Sequence, residues 1–358
     1  MVSILINGNF LCRNLTGIER FAWEVCSRLD TLITDADDVK ILVPVNAKRF
    51  PAFQHIKPVI TKKPLKSFPK WDMCTVSAYC KKLKATALNF SNTAPLGKRC
   101  GISFIHDIYA HDFPRDFTSL KEKLIRAYSL FHYKNIARNA KRIAVVSEFS
   151  KQQLMRAYRV QEEKIRVIPN GWEHFESVQE DDALFDRFPA LKEKPFYFTL
   201  GSLSRRKNLA WIAAYAKAHQ SEHFAISGKA ISGGFVPPEL EVLKSLPNVT
   251  LLGYVTDGEV KALMKKCRAF VFPSYYEGFG IPPLEALSVG SPIIISKSAS
   301  LPEIYGKAAH YIDADVSTAV KTDLTALLTE PVEAAQTVLE TYTYQHAAEK
   351  LYSLIKEL

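Results

Sequence analysis

Short apolar runs bounded by turn residues alternate with longer stretches whose apolar positions recur every three or four residues, almost along the whole chain. The runs Val2–Gly8, Val39–Val45, Gly101–Asp107, Arg142–Ser147 and Lys164–Ile168 predict the strands of a first unit. Phe196–Ser202, His223–Gly228, Val249–Val255, Arg268–Pro273, Pro292–Ser296 and His310–Ile312 predict those of a second. Helices are predicted between most of them, at Gly17–Leu32, Leu120–Ala140, Lys207–His219, Asp257–Cys267 and Pro282–Val289. Short, continuously apolar strands separated by helices belong to parallel sheets covered on both faces, an α/β architecture. The acidic, weakly periodic stretch Gly171–Pro195 reads as an inter-domain linker. The expected domains are therefore 1–172 and 173–343, with the last helix, 344–358, packing back on the first. Two open parallel sheets in tandem are expected to turn the carboxyl ends of their strands toward a shared cleft.

Length and composition change this picture little. A chain of 358 residues suits about two domains, and 47% hydrophobic with 23% charged residues is ordinary for a folded globular protein. No apolar run reaches the ~18–20 residues that span a bilayer. The opening MVSILINGNF lacks a basic n-region and a cleavage site, so it reads as a buried strand and a cytoplasmic location is expected. The six cysteines, with no C-x-x-C pair, are expected to be reduced core thiols.

Charge changes the picture more. The net charge of +10 is uneven: Lys48 to Lys84 holds ten Lys and Arg against one acid, Asp72, with Phe50, Phe53, Phe68 and Trp71 interleaved. Lys121 to Arg142 holds seven cations against Glu122. Such stretches suit nucleic acid, anionic lipid or an acidic substrate, and they equally suit a solvated basic face.

The richest chemistry lies in Ala269–Ser291, AFVFPSYYEGFGIPPLEALSVGS. A buried strand runs into a loop with Glu277, then Gly278-Phe279-Gly280, then Pro282-Pro283 and a helix carrying Glu285. Glycines let backbone approach a ligand closely, and the amides of a helix start meet anionic oxygens. A carboxylate accepts two hydrogen bonds from vicinal sugar hydroxyls. On spacing alone, the same acids also suit a helix start with capping carboxylates. Arg206-Lys207-Asn208 opens another helix and by itself reads equally as a solvated start. His106, after a strand, is by itself most often structural.

Glu277 and Glu285, seven residues between them and Gly-x-Gly inside, resemble the signature of glycosyltransferase family 4, retaining enzymes of the GT-B fold. The resemblance extends over nearly the whole chain. Gly201-Ser-Leu-Ser-Arg-Arg206-Lys207-Asn208 is similar to the family's phosphate-binding segment, and Asn7–Arg20 to its N-terminal glycine loop. Ile105-His106-Asp107, Val145–Ser150, Ile168–Gly171 and Gly253-Tyr-Val255 match in order and approximate spacing. Two departures stand out: Ser202 where the family often has Arg, and Thr16-Gly17 where it often has two glycines.

The resemblance implies two Rossmann-like domains, the first on the acceptor side and the second binding a nucleoside-diphosphate sugar. It implies that Lys207 and Arg206 hold the diphosphate, that Glu285 binds the ribose and that Glu277 contacts the transferred sugar. Gly278, Phe279, Gly280 and Ile281 would offer backbone amides, Val255 would touch the donor, His106 would lie near the sugar, and Gly17 would admit the phosphates. Glu277, His106 and Lys207 are the expected catalytic residues. The function implied is retaining transfer of a hexosyl group to a saccharide acceptor, expected to be lipid-linked, in surface-polysaccharide assembly. Acceptor choice is expected in the loops 48–96 and 109–119. With an anionic membrane reached through Lys48–Lys84, the protein would be peripheral at the inner membrane face.

No metal or other cofactor is expected. Asp35-Ala-Asp37 and Asp313-Ala-Asp315 imitate a metal-holding Asp-x-Asp, but both read as solvated loop acids. His106-Asp107 and His111-Asp112 are spaced off a common helical face. No Gly-x-Gly-x-x-Gly follows the first strand and no Walker A segment occurs, which disfavours NAD and ATP chemistry. Two alternatives remain open: an epimerase of the same fold acting on the nucleotide-sugar alone, and a non-catalytic protein binding nucleic acid or a partner through its basic face. Nucleic acid is not the expected partner.

Overall fold

A computed structural model describes residues 2–201, 204–228 and 238–358. The chain divides into two compact units, Met1–Gly171 with Tyr342–Leu358, and Trp172–Thr341. Ser202, one of the two departures noted above, lies outside the described residues.

Unit 1 is built on a seven-stranded sheet. Its strands are β1 (Ile4–Asn7), β2 (Val39–Val43), β3 (Lys57–Ile60), β4 (Thr86–Asn89), β5 (Ile102–Ile105), β6 (Arg142–Val145) and β7 (Ile165–Val167), in the order β3-β2-β1-β4-β5-β6-β7. All six pairings are parallel. The longer helices are α1 (Ile18–Leu32), α2 (Leu120–Asn139), α3 (Glu148–Tyr158) and, from the chain end, α7 (Tyr344–Lys356). Tyr344, Ala347, Leu351 and Leu354 of α7 are buried in one cluster with Ile4, Phe21, Val25 and Leu29. The Lys356 ammonium bonds the buried Asp37 carboxylate, which corrects the reading of Asp37 as a solvated loop acid.

Strands β3 and β4 lie where loops were expected. β3 is an exposed edge strand, KPVI, with a proline that an edge tolerates and a centre does not. β4 is central but only four residues long. Much of 48–96 is thus framework. The interleaved aromatics are also largely absorbed. Trp71 is buried and its Nε1 donates to Asn7 Oδ1 at 2.8 Å, Phe53 packs on Trp23, and the Arg13 guanidinium covers Phe68. Asp72 is buried beside them and accepts from Asn7, Asn9 and Thr93. The ten cations remain exposed, yet only Phe50 stays over half open to stack on a base.

Unit 2 carries β8 (Phe196–Leu200), β9 (His223–Ser227), β10 (Val249–Gly253), β11 (Ala269–Phe272), β12 (Ile293–Ser296) and β13 (His310–Ile312), all parallel, in the order β10-β9-β8-β11-β12-β13. Its longer helices are α4 (Leu209–Ala218), α5 (Asp257–Lys266) and α6 (Ile281–Ser288). α5 starts where Thr256 and Glu259 form a reciprocal capping box, which satisfies two donors at once. The stretch expected as a linker belongs to this unit. Leu184, Phe185 and Leu191 are buried, and Lys261 Nζ donates to the carbonyls of Phe175 and Val178 at 2.9 and 2.8 Å.

In this second sheet the strand order reverses between β8 and β11. Loops leaving the carboxyl ends of two such neighbours diverge and open a crevice, the place where open α/β sheets bind ligands.

Candidate functional site

The segments after β8 and β11 meet at that switch point. Pairing of Ala269 with Tyr197 and Phe270 with Phe198 brings both strands out at one edge. Beyond β8 the chain turns through Arg205–Lys207 into α4, with Asn208 left-handed at φ 59°. Asn tolerates that conformation, and its side-chain amide uses it to donate to Pro273 O (3.0 Å) and Ala314 O (2.8 Å). Asn208 therefore ties the cationic turn to the loop after β11. The Arg206 carbonyl makes two more ties, accepting from Ser274 Oγ at 2.8 Å and Tyr275 N at 3.0 Å.

The turn delivers Lys207 to Glu277. The ammonium donates to Glu277 Oε1 at 2.7 Å and stands 4.5 Å from the centre of the Phe272 ring. Ser274 Oγ also lies 2.7 Å from the same carboxylate oxygen, so its one proton is shared between Glu277 and the Arg206 carbonyl, and Ser300 Oγ donates to the Glu277 carbonyl at 2.9 Å. Burial raises the Glu277 pKa. The charges of Lys207 and Arg206 and the hydrogen bonds from Lys207 and Ser274 outweigh it, holding the carboxyl below its ordinary range. Glu277 is thus an ionised, immobilised acceptor and no proton donor at neutral pH.

Gly280 takes φ 89° at the start of α6 and its carbonyl accepts from Tyr305. A Cβ there would stand 2.6 Å from Leu301 Cδ2, so the left-handed backbone favours glycine and any side chain must displace the end of Leu301. Phe279 is buried beside it, and Ile281 begins the helix. Pro282 and Pro283 have no N–H, so the helix start offers fewer amides to an anion than its position suggests. An anion at this helix start would therefore rely on the amides of the loop 278–281 and on the cations Lys207 and Arg206.

Glu285 falls in the second turn of α6. Its Oε1 lies 3.0 Å from Nε2 of His174, a buried histidine of the short 3-10 turn Glu173–Phe175. Sequence reading missed His174, Ser274 and Ser300. His174 lies 111 positions before Glu285 in a stretch read as linker, with no spacing signal to join them.

Val255 follows β10, the edge strand, with β9 and β8 lying between it and β11, and its side chain is buried. Gly17 and His106 belong to unit 1. Gly17 precedes α1 with φ 44° and open space around its α-carbon. His106 follows β5, stacks on Phe104 and meets Phe21 of α1 edge-on. Burial lowers its pKa, with the Phe90 hydrogen bond and Asp107 opposing, so the ring is neutral at neutral pH. Its Nε2 lies 2.7 Å from the Phe90 carbonyl, which places the proton on Nε2 and leaves Nδ1 as an acceptor.

Comparison with known proteins covers both units. Residues 15–174 match the model of Glycosyltransferase Family 4, and residues 180–346 that of Glycosyl transferases group 1. The O-antigen chain mannosyltransferase RfbU of Salmonella typhimurium is 30% identical over 227 residues, 63% of this chain and 59% of that protein. The O-antigen chain mannosyltransferase B of Escherichia coli is 29% identical over 188 residues, 49% of this chain and 48% of that protein. The chain thus spans only about half to three-fifths of these relatives. Among solved structures, sucrose-phosphate synthase from Thermosynechococcus elongatus has a TM-score of 0.74 at 16% identity, covering 100% of this chain and 99% of that one. Anabaena HepE in complex with UDP-glucose has a TM-score of 0.68 at 15% identity, covering 100% of both. At such identities the likeness is one of fold.

Proposed function

The chain belongs to glycosyltransferase family 4 and has the GT-B fold, and from that premise we propose that it transfers a hexosyl group from a nucleoside-diphosphate sugar to a saccharide acceptor. The observation that carries this reading is the Lys207–Glu277 pair at the unit-2 switch point, with Arg206 and the 278–281 loop beside it. Departure of a nucleoside diphosphate builds negative charge, and fixed cations stabilise it as it forms. Lys207 and Arg206 take that role. Glu277, held ionised, orients the hydroxyls of the transferred sugar, and Glu285, steadied by His174, accepts from the ribose. Val255 lines the donor site, and its buried side chain leaves the main chain as its means of contact. In unit 1, His106 offers Nδ1 to a sugar hydroxyl and Gly17 gives the phosphates room. The names of the relatives favour mannose as the sugar and a surface polysaccharide as the product.

The reaction is proposed to retain configuration without a metal. An ionised Glu277 engaged by Lys207 and Ser274 is poorly placed to attack, so the acceptor hydroxyl enters on the face the diphosphate leaves. The bond from the anomeric carbon to the phosphate oxygen breaks, the bond to the acceptor oxygen forms, and the departing phosphate takes the acceptor's proton. The acceptor is proposed to be lipid-linked, which would bring the protein to the inner membrane face. Among the described residues no helix is long and apolar enough to cross a membrane.

Thermal unfolding against nucleotides, GDP-mannose and UDP-glucose tests the donor site. One nucleoside diphosphate at ~100 times its Kd should stabilise the wild type by about 2.7 kcal/mol. Lys207→Ala and Glu285→Ala should lose that response, and a panel without effect would overturn the reading. The matched donor then supports an assay with EDTA, its product followed by NMR. An inverted anomeric centre sinks retention, and loss of turnover sinks metal independence.

A further inference from the structure

Helix α2 is apolar on the wrong side. Its core-facing side buries His132, Tyr133, Ile136 and Ala137. Leu120, Leu124, Ala127 and Phe131 follow at intervals of four, three and four, which aligns them in one stripe on the opposite face. That stripe is exposed: Leu120 by 76%, Leu124 by 64% and Phe131 by 49%. With Ile125, this one helix holds four of the thirteen large apolar side chains exposed among the described residues. The concentration sets it apart from ordinary scattered surface apolar groups.

The stripe is framed by charge of one sign. Lys123 and Lys134 lie along one flank, Lys121 along the other and Arg138 beyond its end, all exposed. Glu122, the single acid, is turned back on the helix start, accepting from Thr118 N at 3.0 Å and Ser119 N at 2.9 Å. Arg126 is also committed, donating to the Ala110 carbonyl at 2.9 Å.

We infer that this face of α2 docks unit 1 on an anionic lipid surface, with the Leu120–Phe131 stripe entering the headgroup boundary and the flanking lysines meeting phosphate. A convex ridge about 16 Å long, apolar along its crest with lysines beside it, has the form of an interfacial helix. Lysine stems lie along apolar surface while their ammonium groups reach out to the headgroups. A protein partner fits less well, since protein interfaces are depleted of lysine and seat their apolar anchors in pockets. This deepens the membrane part of the proposed function and assigns it to α2, where the sequence pointed to Lys48–Lys84. It does not depend on which sugar is moved.

Co-sedimentation of the full chain with phosphatidylcholine vesicles, with and without phosphatidylglycerol, tests the assignment. Three proteins are compared: wild type, Leu124→Ser/Phe131→Ser, and Lys62→Ala/Lys63→Ala/Lys66→Ala. Wild type should bind the anionic vesicles and not the neutral ones. The α2 variant should bind about tenfold more weakly or worse, and the lysine variant should lose much less. Circular dichroism and the nucleotide thermal response of the α2 variant should match wild type, which separates lost docking from lost folding. Equal binding to both vesicle types, no binding, or undiminished binding by the α2 variant overturns the proposal. So does a wild-type dimer on a sizing column that the α2 variant abolishes, since the stripe is then a protein interface. A chain that docks through α2 yet responds to no nucleotide would sink the transferase reading and leave this one standing.

Discussion

Lys207 and Glu277 show how two side chains of opposite charge serve both folding and function. They lie 70 positions apart in the chain and meet at 2.7 Å, both largely buried. Removing one partner strands the other in a poorly solvated place, so Lys207→Ala should cost about 3–5 kcal/mol. Lys207→Ala/Glu277→Gln should recover a large part of that, because no buried charge is left unpaired. Urea unfolding of both variants measures the difference, and equal losses would show that packing, not charge, dominates. The pH dependence follows from the lowered Glu277 pKa. A carboxyl that titrates lower folded than unfolded stabilises above the unfolded value of ~4.3, and the effect fades as pH falls through the folded value. The Glu277→Gln protein should therefore lose less stability than wild type on acidification below ~4.3.

At the scale of elements, α6 depends on what stands at its two ends. Gly280 and Gly290 both have positive φ, 89° and 79°. A Cβ at Gly290 would meet open space, whereas at Gly280 it would strike Leu301. Gly290→Ala should thus cost only the backbone strain, about 1–2 kcal/mol. Gly280→Ala adds a steric clash and should cost about 2–4 kcal/mol while weakening nucleotide stabilisation. Similar denaturation midpoints for the two variants would show that Leu301 yields. Element reading from sequence worked where a strand is an apolar run between turn residues, as in β5, β6, β8 and β11. It failed at β3, an edge strand exposed enough to look like loop, and at β4, four residues set among polar neighbours. It also failed at 171–195, whose apolar residues Leu184, Phe185, Phe188 and Leu191 form one short cluster among acids and prolines yet are enough to dock on α5 and β8.

For the whole molecule, the main fact is that the chain leaves unit 1 and returns to it. Helix α7 buries Tyr344, Leu351, Leu354 and Ile355 against α1 and the first sheet. At about 1.5–3 kcal/mol for each large side chain, its contribution is comparable with the ~5–15 kcal/mol that holds a domain folded. A chain ending at Thr341 should therefore leave unit 1 open to protease while unit 2 keeps its nucleotide response. Protease resistance across 2–171 in that truncated chain would contradict this.

By itself the sequence determined the α/β class, the succession of most strands and helices, and the family, because apolar period and motif spacing are local properties. It also marked Lys207, Glu277 and Glu285, since each stands in a motif that carries its own context. Only the tertiary structure decided that Glu277 is ionised by Lys207, that His174 and Ser274 hold the acids in place, and that Trp71 is spent inside unit 1. It alone showed that α2 turns leucines outward. These facts concern which distant side chains share a space or face water, and hydrogen bonds and burial between distant segments leave no period in the chain.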